Sequence, residues 1–220
     1  MLPPLFLDVQ KDDLVLDMCA APGSKTVQIL EMFHKGNKDP FDFMKVKGGV
    51  VANELDNKRA WILSHQLIRL NGSGFAVVNH PAQFLPTLYK DSDGSNSEQL
   101  ENGIKDNKVY FDKVLVDVPC SGDGAIRKLP TRWRVWSPLD GIHLHVLQTQ
   151  ILIRAINLAK VGGLIVYSTC SLNPIENEAV VADVLRRANR DTPNSLELID
   201  IHGRFPGLKM HRGVSNWFAY

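Results

Sequence analysis

Two of the three cysteines in this chain stand where an apolar run stops. "VLVDVPCSGDG" places Cys120 just past one such run, and "GLIVYSTCSLNP" places Cys170 just past another. A thiol can be core filler, half of a disulfide, a metal ligand or a nucleophile. An odd, sparse count of three cysteines fits a reducing compartment better than a disulfide framework. There is no C-x-x-C or His-x₃-His pairing, so no zinc site is expected and no metal is assigned. Buried cysteine is commonly an inert small hydrophobe, but two thiols at strand ends on the ligand side of a sheet favour chemistry. Cys170 also precedes a helix-start signature, with Asn173 as N-cap, Pro174 at the first helical position and Glu176 at capping-box spacing. A nearby helix N-terminus lowers a thiol pKa from its free value of ~8.5 and raises the thiolate fraction.

A second group of unusual residues lies at "DMCAAPGSKT", residues 17–26. Small residues allow close backbone approach to a ligand, and a helix start offers unpaired N–H groups to an anion. Ser24 stands before Lys25 and no glycine occupies the upstream place that a Walker P-loop needs, and G-x-G-x-x-G is absent. An ordinary tight turn remains the plain alternative. "ANELDNKR" offers Glu54, which is either a ribose-binding carboxylate at a strand end or an acid stabilised by a helix dipole. "RKLPTRWRVW", residues 127–136, sets Arg127, Lys128, Arg132 and Arg134 beside Trp133 and Trp136. Cations for phosphates with aromatics for splayed bases suit single-stranded or flipped-base recognition. The alternative is a solvated loop with its tryptophans buried.

These residues need a scaffold. The runs 14–18, 49–53, 75–79, 113–118 and 164–168 are almost unbroken Val/Ile/Leu/Ala, as parallel strands covered on both faces require. Between them, Leu63, Leu67 and Leu70 recur at helical spacing, as do Leu144, Leu147, Ile151, Ala155 and Leu158, with Gly162-Gly163 expected to stop that helix. Strands alternating with helices imply an α/β fold, a mainly parallel doubly wound sheet. "SLELIDI", 195–201, and "NWFAY", 216–220, are expected to add a late antiparallel strand. If the fourth and fifth strands flank the first, both cysteines face one crevice beyond the strand ends.

The 220 residues fit one domain with a sizeable core. Residues 90–108, Ser/Asn/Asp/Gly-rich and aperiodic, are expected to form a mobile insertion, and 34–48 a shorter connection. No apolar stretch approaches the ~20 residues of a membrane span, and the N-terminus does not resemble a signal peptide. A net charge of +1 does not by itself mark a nucleic-acid binder.

"DMCAAPGSKT", "NELDNKRAWILSHQ", "VVNH", "VDVPCSGDG", "CSGDGAIRK" and "STCSLNPIENEAVVADVL" resemble, nearly residue for residue, the motifs of the Sun-type (Nop/Sun) RNA cytosine-5 methyltransferases, nearest to their eukaryotic tRNA-directed branch. The resemblance covers most of residues 3–188 and extends weakly into "PGLKMHRGVSNW". It implies a class I methyltransferase fold of Rossmann type, S-adenosyl-L-methionine as methyl donor, and carbon 5 of an RNA cytosine, in tRNA by the branch, as acceptor. It further implies Cys170 as the nucleophile that adds to carbon 6, Cys120 as the thiol that aids release, Asp117 on the cytosine edge, and Lys25 near the base and Cys120. Cys19, Ala20, Ala21, Pro22, Gly23, Ser24 and Lys25 would wrap the methionine part of the donor. Glu54 and Arg59 would serve the ribose, Leu55 the adenine, and Asp117 would also border the donor. Where the family has an acid after the third strand, this chain has Pro81, which lacks a side-chain acceptor for the adenine amino group.

By the same resemblance the chain is expected to be a catalytic fragment lacking flanking RNA-binding regions, monomeric, and nuclear or nucleolar. Two other classes stay open: a non-catalytic RNA-binding or scaffold protein that keeps the fold, and a thiol redox enzyme pairing Cys120 with Cys170.

Overall fold

The computed structural model describes residues 1–33, 47–69, 74–90 and 107–217. The order is α1 (Leu2–Leu7), β1 (Leu14–Asp17), α2 (Ser24–Phe33), β2 (Gly49–Asn53), α3 (Asn57–Arg69), β3 (Phe75–Val78), β4 (Phe111–Asp117), α4 (Arg132–Val135), α5 (Pro138–Leu158), β5 (Ala159–Ser168) and α6 (Glu178–Asp191). The five strands form one parallel sheet in the order β3-β2-β1-β4-β5. Strand order reverses at β1, which opens the crevice where doubly wound folds bind ligands.

Successive side chains along a strand point to opposite faces, so each strand feeds two cores. Val15 of β1 and Leu115 of β4 join Ile29, Leu30 and Phe33 of α2 and Leu63 and Leu67 of α3. Leu16 of β1 and Val114 and Val116 of β4 join Ile151, Leu152, Ala155 and Leu158 of α5 and Val180 and Val184 of α6. Two-sided burial is the physical reason that the strands read as continuous apolar runs.

Five expectations need correction or lie elsewhere. Of the fourth and fifth strands only β4 flanks β1, and β5 lies beyond β4, yet the ends of β4 and β5 still meet. Residues 195–201 form no strand, and no antiparallel strand joins the sheet among the described residues. Helix α5 ends at Leu158, ahead of Gly162-Gly163, and the glycines lie within β5 instead. There a Cβ on Gly163 would meet the carbonyl oxygens of Lys160, Asp112 and Phe111 at 2.8, 3.1 and 3.2 Å, so the close approach of β4 requires glycine. The short α1 was not anticipated; its two prolines fit a first helical turn, and Leu7 is buried in the core. Most of the expected insertion and of the 34–48 connection, with Leu70 and 218–220, lies outside the described residues.

Candidate active site

The register of β4 against β5 builds the thiol pair. Asp117 is paired with Ser168 across the two strands, and Val118 N–H continues the ladder to the Ser168 carbonyl at 3.1 Å. Cys120 and Cys170 therefore leave the sheet side by side. Their sulfurs lie 3.1 Å apart as free thiols, and the Cys170 N–H donates to Cys120 Sγ at 3.3 Å. Cys120 is half-buried and Cys170 exposed.

The pair shares its charge unequally. With Cys170 as thiolate the Cys120 thiol must donate to it, and this hydrogen bond lowers the Cys170 pKa to about 7, against burial and the Asp117 charge, with its own backbone and Lys25 assisting. The same hydrogen bond, with burial and the second sulfur's charge, pushes Cys120 far up. Two interacting thiols titrate as a unit in which one holds the proton and the other the charge. The helix N-terminus invoked from sequence does not cause this shift. Helix α6 begins only at Glu178, and residues 174–177 form a turn. Asn173 caps that turn, its Oδ1 accepting from the Ile175 N–H at 3.0 Å, while the Glu176 side chain points away from Asn173 toward the cysteine loops.

Asp117, at the end of β4, accepts from Ser168 Oγ at 2.6 Å through one oxygen and pairs with Lys25 through the other. Lys25, in the first turn of α2, thus links the β1 side of the crevice to the thiol side. On the β1 side, Asp17 is fully buried at the strand end. Its Oδ2 accepts from Thr26 Oγ1 at 2.8 Å, whereas Oδ1 has no partner in the protein. Burial and the Asp117 charge raise the Asp17 pKa to about 7, although Thr26 and Lys25 oppose the shift. The Cys19 thiol is pushed up by burial, then by Asp17, Glu54 and Asp117, which disfavours its thiolate.

Ala20 and Ala21 are buried, the Ala21–Pro22 peptide is cis, and Gly23 has φ 107°. That left-handed φ, with Leu63 Cδ1 2.9 Å from where a Cβ would stand, is why glycine is required where the loop enters α2 beside Ser24. Glu54, buried at the end of β2, accepts from the Ala21 N–H at 3.3 Å and the Asp56 N–H at 3.0 Å. Arg59 lies 3.5 Å from Glu54 Oε1 and donates to the Ala21 carbonyl at 2.7 Å. Asn53 ties the loops together, donating to the Met18 and His80 carbonyls at 2.9 and 3.0 Å. Leu55 is exposed at the rim, and Pro81 begins a short 3₁₀ turn, Ala82–Phe84. This half offers an orphaned buried acceptor, helix N–H groups, a buried carboxylate and an exposed apolar side chain. That donor set fits an amino-acid end, a hydroxylated sugar and a flat base.

A cavity of about 390 Å³ adjoins Cys120, lined also by Ser121, Arg132, Val135, Asp140, His143 and Leu144. Of the residues expected to meet RNA, Arg132 lines this cavity, whereas Arg127, Lys128, Trp133 and Arg134 are exposed around it in sequence. Trp136 behaves otherwise: its Nε1 is buried without a partner. Sequence reasoning missed Asp17, Asp140, His143 and the destination of Glu176. The only available signal was that Asp140 and His143 open α5, just after the basic-aromatic stretch.

Comparison with known proteins adds a lineage to this geometry. Over its whole length or nearly so, the chain is 47% identical to the "Multisite-specific tRNA:(cytosine-C(5))-methyltransferase trm4b" of Schizosaccharomyces pombe and 45% identical to the multisite-specific enzyme of Saccharomyces cerevisiae. It is also 44% identical to the tRNA (cytosine(34)-C(5))-methyltransferase of Drosophila melanogaster over 99% of the chain. The chain spans only 32%, 30% and 27% of those relatives' lengths. Among solved structures, the NSun6 protein from Pyrococcus horikoshii with SFG is similar at 26% identity and TM-score 0.64, covering 84% of this chain and 41% of that one. The family model for the 16S rRNA methyltransferase RsmB/F matches residues 4–214. With its five-stranded parallel sheet and its paired thiols, the chain belongs to that methyltransferase family.

Proposed function

We propose that this chain methylates carbon 5 of cytosine in RNA, with tRNA as the substrate class, using S-adenosylmethionine as donor. The observation that carries the reading is the pair of free thiols 3.1 Å apart, one shifted toward thiolate and the other toward thiol. The names of the relatives support cytosine-5 chemistry on tRNA, and SFG, an analogue of S-adenosylmethionine, supports the donor.

Bound at the ends of β1 and β2, S-adenosylmethionine supplies an electrophilic methyl group. The loop 19–25 would hold its amino-acid end, with the Asp17 acceptor beneath; Glu54 and Arg59 would hold the ribose and Leu55 would cover the adenine.

Carbon 5 of cytosine is too poor a nucleophile to take that methyl group unaided. The Cys170 thiolate adds to carbon 6, forming a C–S bond and moving electron density onto carbon 5, which is the logic of covalent catalysis. Asp117 faces the exocyclic amino group of the base, and Lys25 balances the charge. After transfer, the carbon 5 proton must leave and the C–S bond must break. Cys120 suits that step because its proton is held chiefly by the hydrogen bond to Cys170, with burial and the Cys170 charge adding to it. Once Cys170 carries a carbon, the acceptor and the repelling charge both vanish, and Cys120 drops toward the range of an ordinary thiol base.

Cys170→Ala is expected to abolish methyl transfer. Cys120→Ala is expected to trap a covalent protein–RNA adduct, seen as a band retarded in denaturing gels. No adduct from Cys120→Ala, together with activity in Cys170→Ala, would falsify the assignment.

A further inference from the structure

The Glu176 carboxylate is fully buried, and among the described residues its hydrogen-bond partners are Ser121, Ser171 and Gln148, none of them a cation. Its Oε1 accepts from the Ser121 N–H at 2.8 Å and from Gln148 Nε2 at 3.1 Å. Its Oε2 accepts from Ser121 Oγ at 2.5 Å and Ser171 Oγ at 2.7 Å. Ser121 follows Cys120 and Ser171 follows Cys170, so one side chain holds both cysteine loops. Gln148 adds a second hold, donating also to the Pro119 carbonyl at 3.0 Å, on the other side of Cys120.

The backbone of Glu176 is fixed as firmly. Its N–H donates to the Asn173 carbonyl at 3.0 Å, and its carbonyl accepts from Tyr167 Oη at 2.6 Å. Helix α5 closes the site from above. A Cβ on Gly141 would lie 3.2 Å from Glu176 Cγ and Oε2 and 2.5 Å from Asn173 Nδ2.

A buried carboxylate without a counter-ion is costly unless its lone pairs are met. Two loops held together merely for stability need no such charge, since apolar contacts or a neutral amide hold loops at lower cost. What the carboxylate offers is acceptor capacity on two oxygens for donors converging from both loops. An amide keeps only one acceptor oxygen and turns the other position into a donor.

We infer that Glu176 is a positioning residue that sets the distance between the two thiols, through Ser121 on one side and Ser171 on the other. It touches neither sulfur. The kinetic arm of its test rests on the proposed function, whereas the thiol-spacing arm does not.

Phenylarsine oxide reads the spacing directly on the whole chain. Two thiols within bridging distance give up their protons, two As–S bonds form, the arsenic oxygen leaves as water, and nothing is oxidised or reduced. Wild type is expected to bind one arsenical through Cys120 and Cys170. Glu176→Gln is expected to weaken that binding about tenfold, and Ser121→Ala and Ser171→Ala less, on the scale of one or two lost hydrogen bonds. In Glu176→Gln the pH midpoint of Cys170 alkylation rises, because the Cys120 hydrogen bond that lowers it lengthens. In methylation assays kcat falls about tenfold or more, while KM for RNA and the affinity for S-adenosylmethionine change less than about twofold.

Wild-type arsenical affinity and a wild-type alkylation profile in folded Glu176→Gln would overturn the inference. So would an equal loss of donor affinity, since that marks general support of the domain. If Glu176→Gln fails to fold, the serine variants decide in the same way. A wild-type chain that captures the arsenical, loses it on these substitutions and yet methylates no RNA would refute the proposed function and leave the role of Glu176 standing.

Discussion

Cys170 owes its thiolate character to a neighbour, so its reactivity is a property of two residues. In wild type, alkylation of Cys170 by iodoacetamide is expected to rise through a midpoint near pH 7. Removing the donor in Cys120→Ala moves that midpoint up toward the free value of ~8.5. Adduct formation in the variant then needs a more alkaline pH than turnover in wild type. An unmoved midpoint would show that Lys25 or the backbone holds the charge instead. Both cysteines stood out in the sequence because reactive residue types were placed at strand ends, whereas Asp117 and Lys25 entered only through the family resemblance. The cause of the shift was not legible. A capping-box spacing at Asn173 to Glu176 signals a helix start, but the competing donors Ser121 and Ser171 come from elsewhere in the fold and draw the glutamate away. Tertiary partners of a buried carboxylate leave no trace in local spacing.

The elements were legible in proportion to their burial. Strands β1 to β4 lie within two residues of the runs that announce them. Of these, β1, β2 and β4 are covered on both faces and have no solvent side to break the pattern, while β3 at the sheet edge is only partly buried. Strand β5 extends five residues earlier than its apolar run, through Lys160 and the glycine pair, where the pairing with β4 shifts register. Three carbonyls crowd Gly163 there, so Gly163→Ala is expected to destabilise the chain by about 2–3 kcal/mol in urea titrations. It is also expected to lower methyl transfer beyond that, since the other end of the same strand carries Cys170. Around α4, Arg132 lines the cavity beside Cys120, while Arg134 is exposed. Replacing Arg134 by Ala should weaken RNA binding alike for all sequences and reduce the salt slope by about 1, whereas Arg132→Ala should also lower the methylation rate of bound RNA. Equal effects from both would count against Arg132 reaching the target base.

At the scale of the molecule, one buried acid gives the fold a pH dependence. The Asp17 carboxyl is neutral below the usual carboxylate range in both folded and unfolded chains. As pH rises from about 4 to about 7, the unfolded chain ionises this group while the folded chain still holds its proton. Stability from this group is therefore full near pH 4 and lost by about pH 7 to 8. Asp17→Asn should leave stability at pH 4 unchanged and gain about 2–4 kcal/mol at pH 8, measured without donor. It should also weaken S-adenosylmethionine binding. A parallel offset at both pH values would mean that the effect does not come from ionising a buried carboxyl.

An ion pair of Lys25 with Asp117 links the two halves of the crevice. Both charges act on the Cys170 sulfur, one against the thiolate and one for it. On the proposed function, a donor bound at the head of α2 would change the balance between them and so couple its own binding to the charge on Cys170. Thermodynamic linkage makes the effect reciprocal: by whatever factor donor occupancy changes the proton affinity of Cys170, deprotonation of Cys170 changes the affinity for donor. On the proposed function, donor binding and ionisation of Cys170 would then be two sides of one equilibrium.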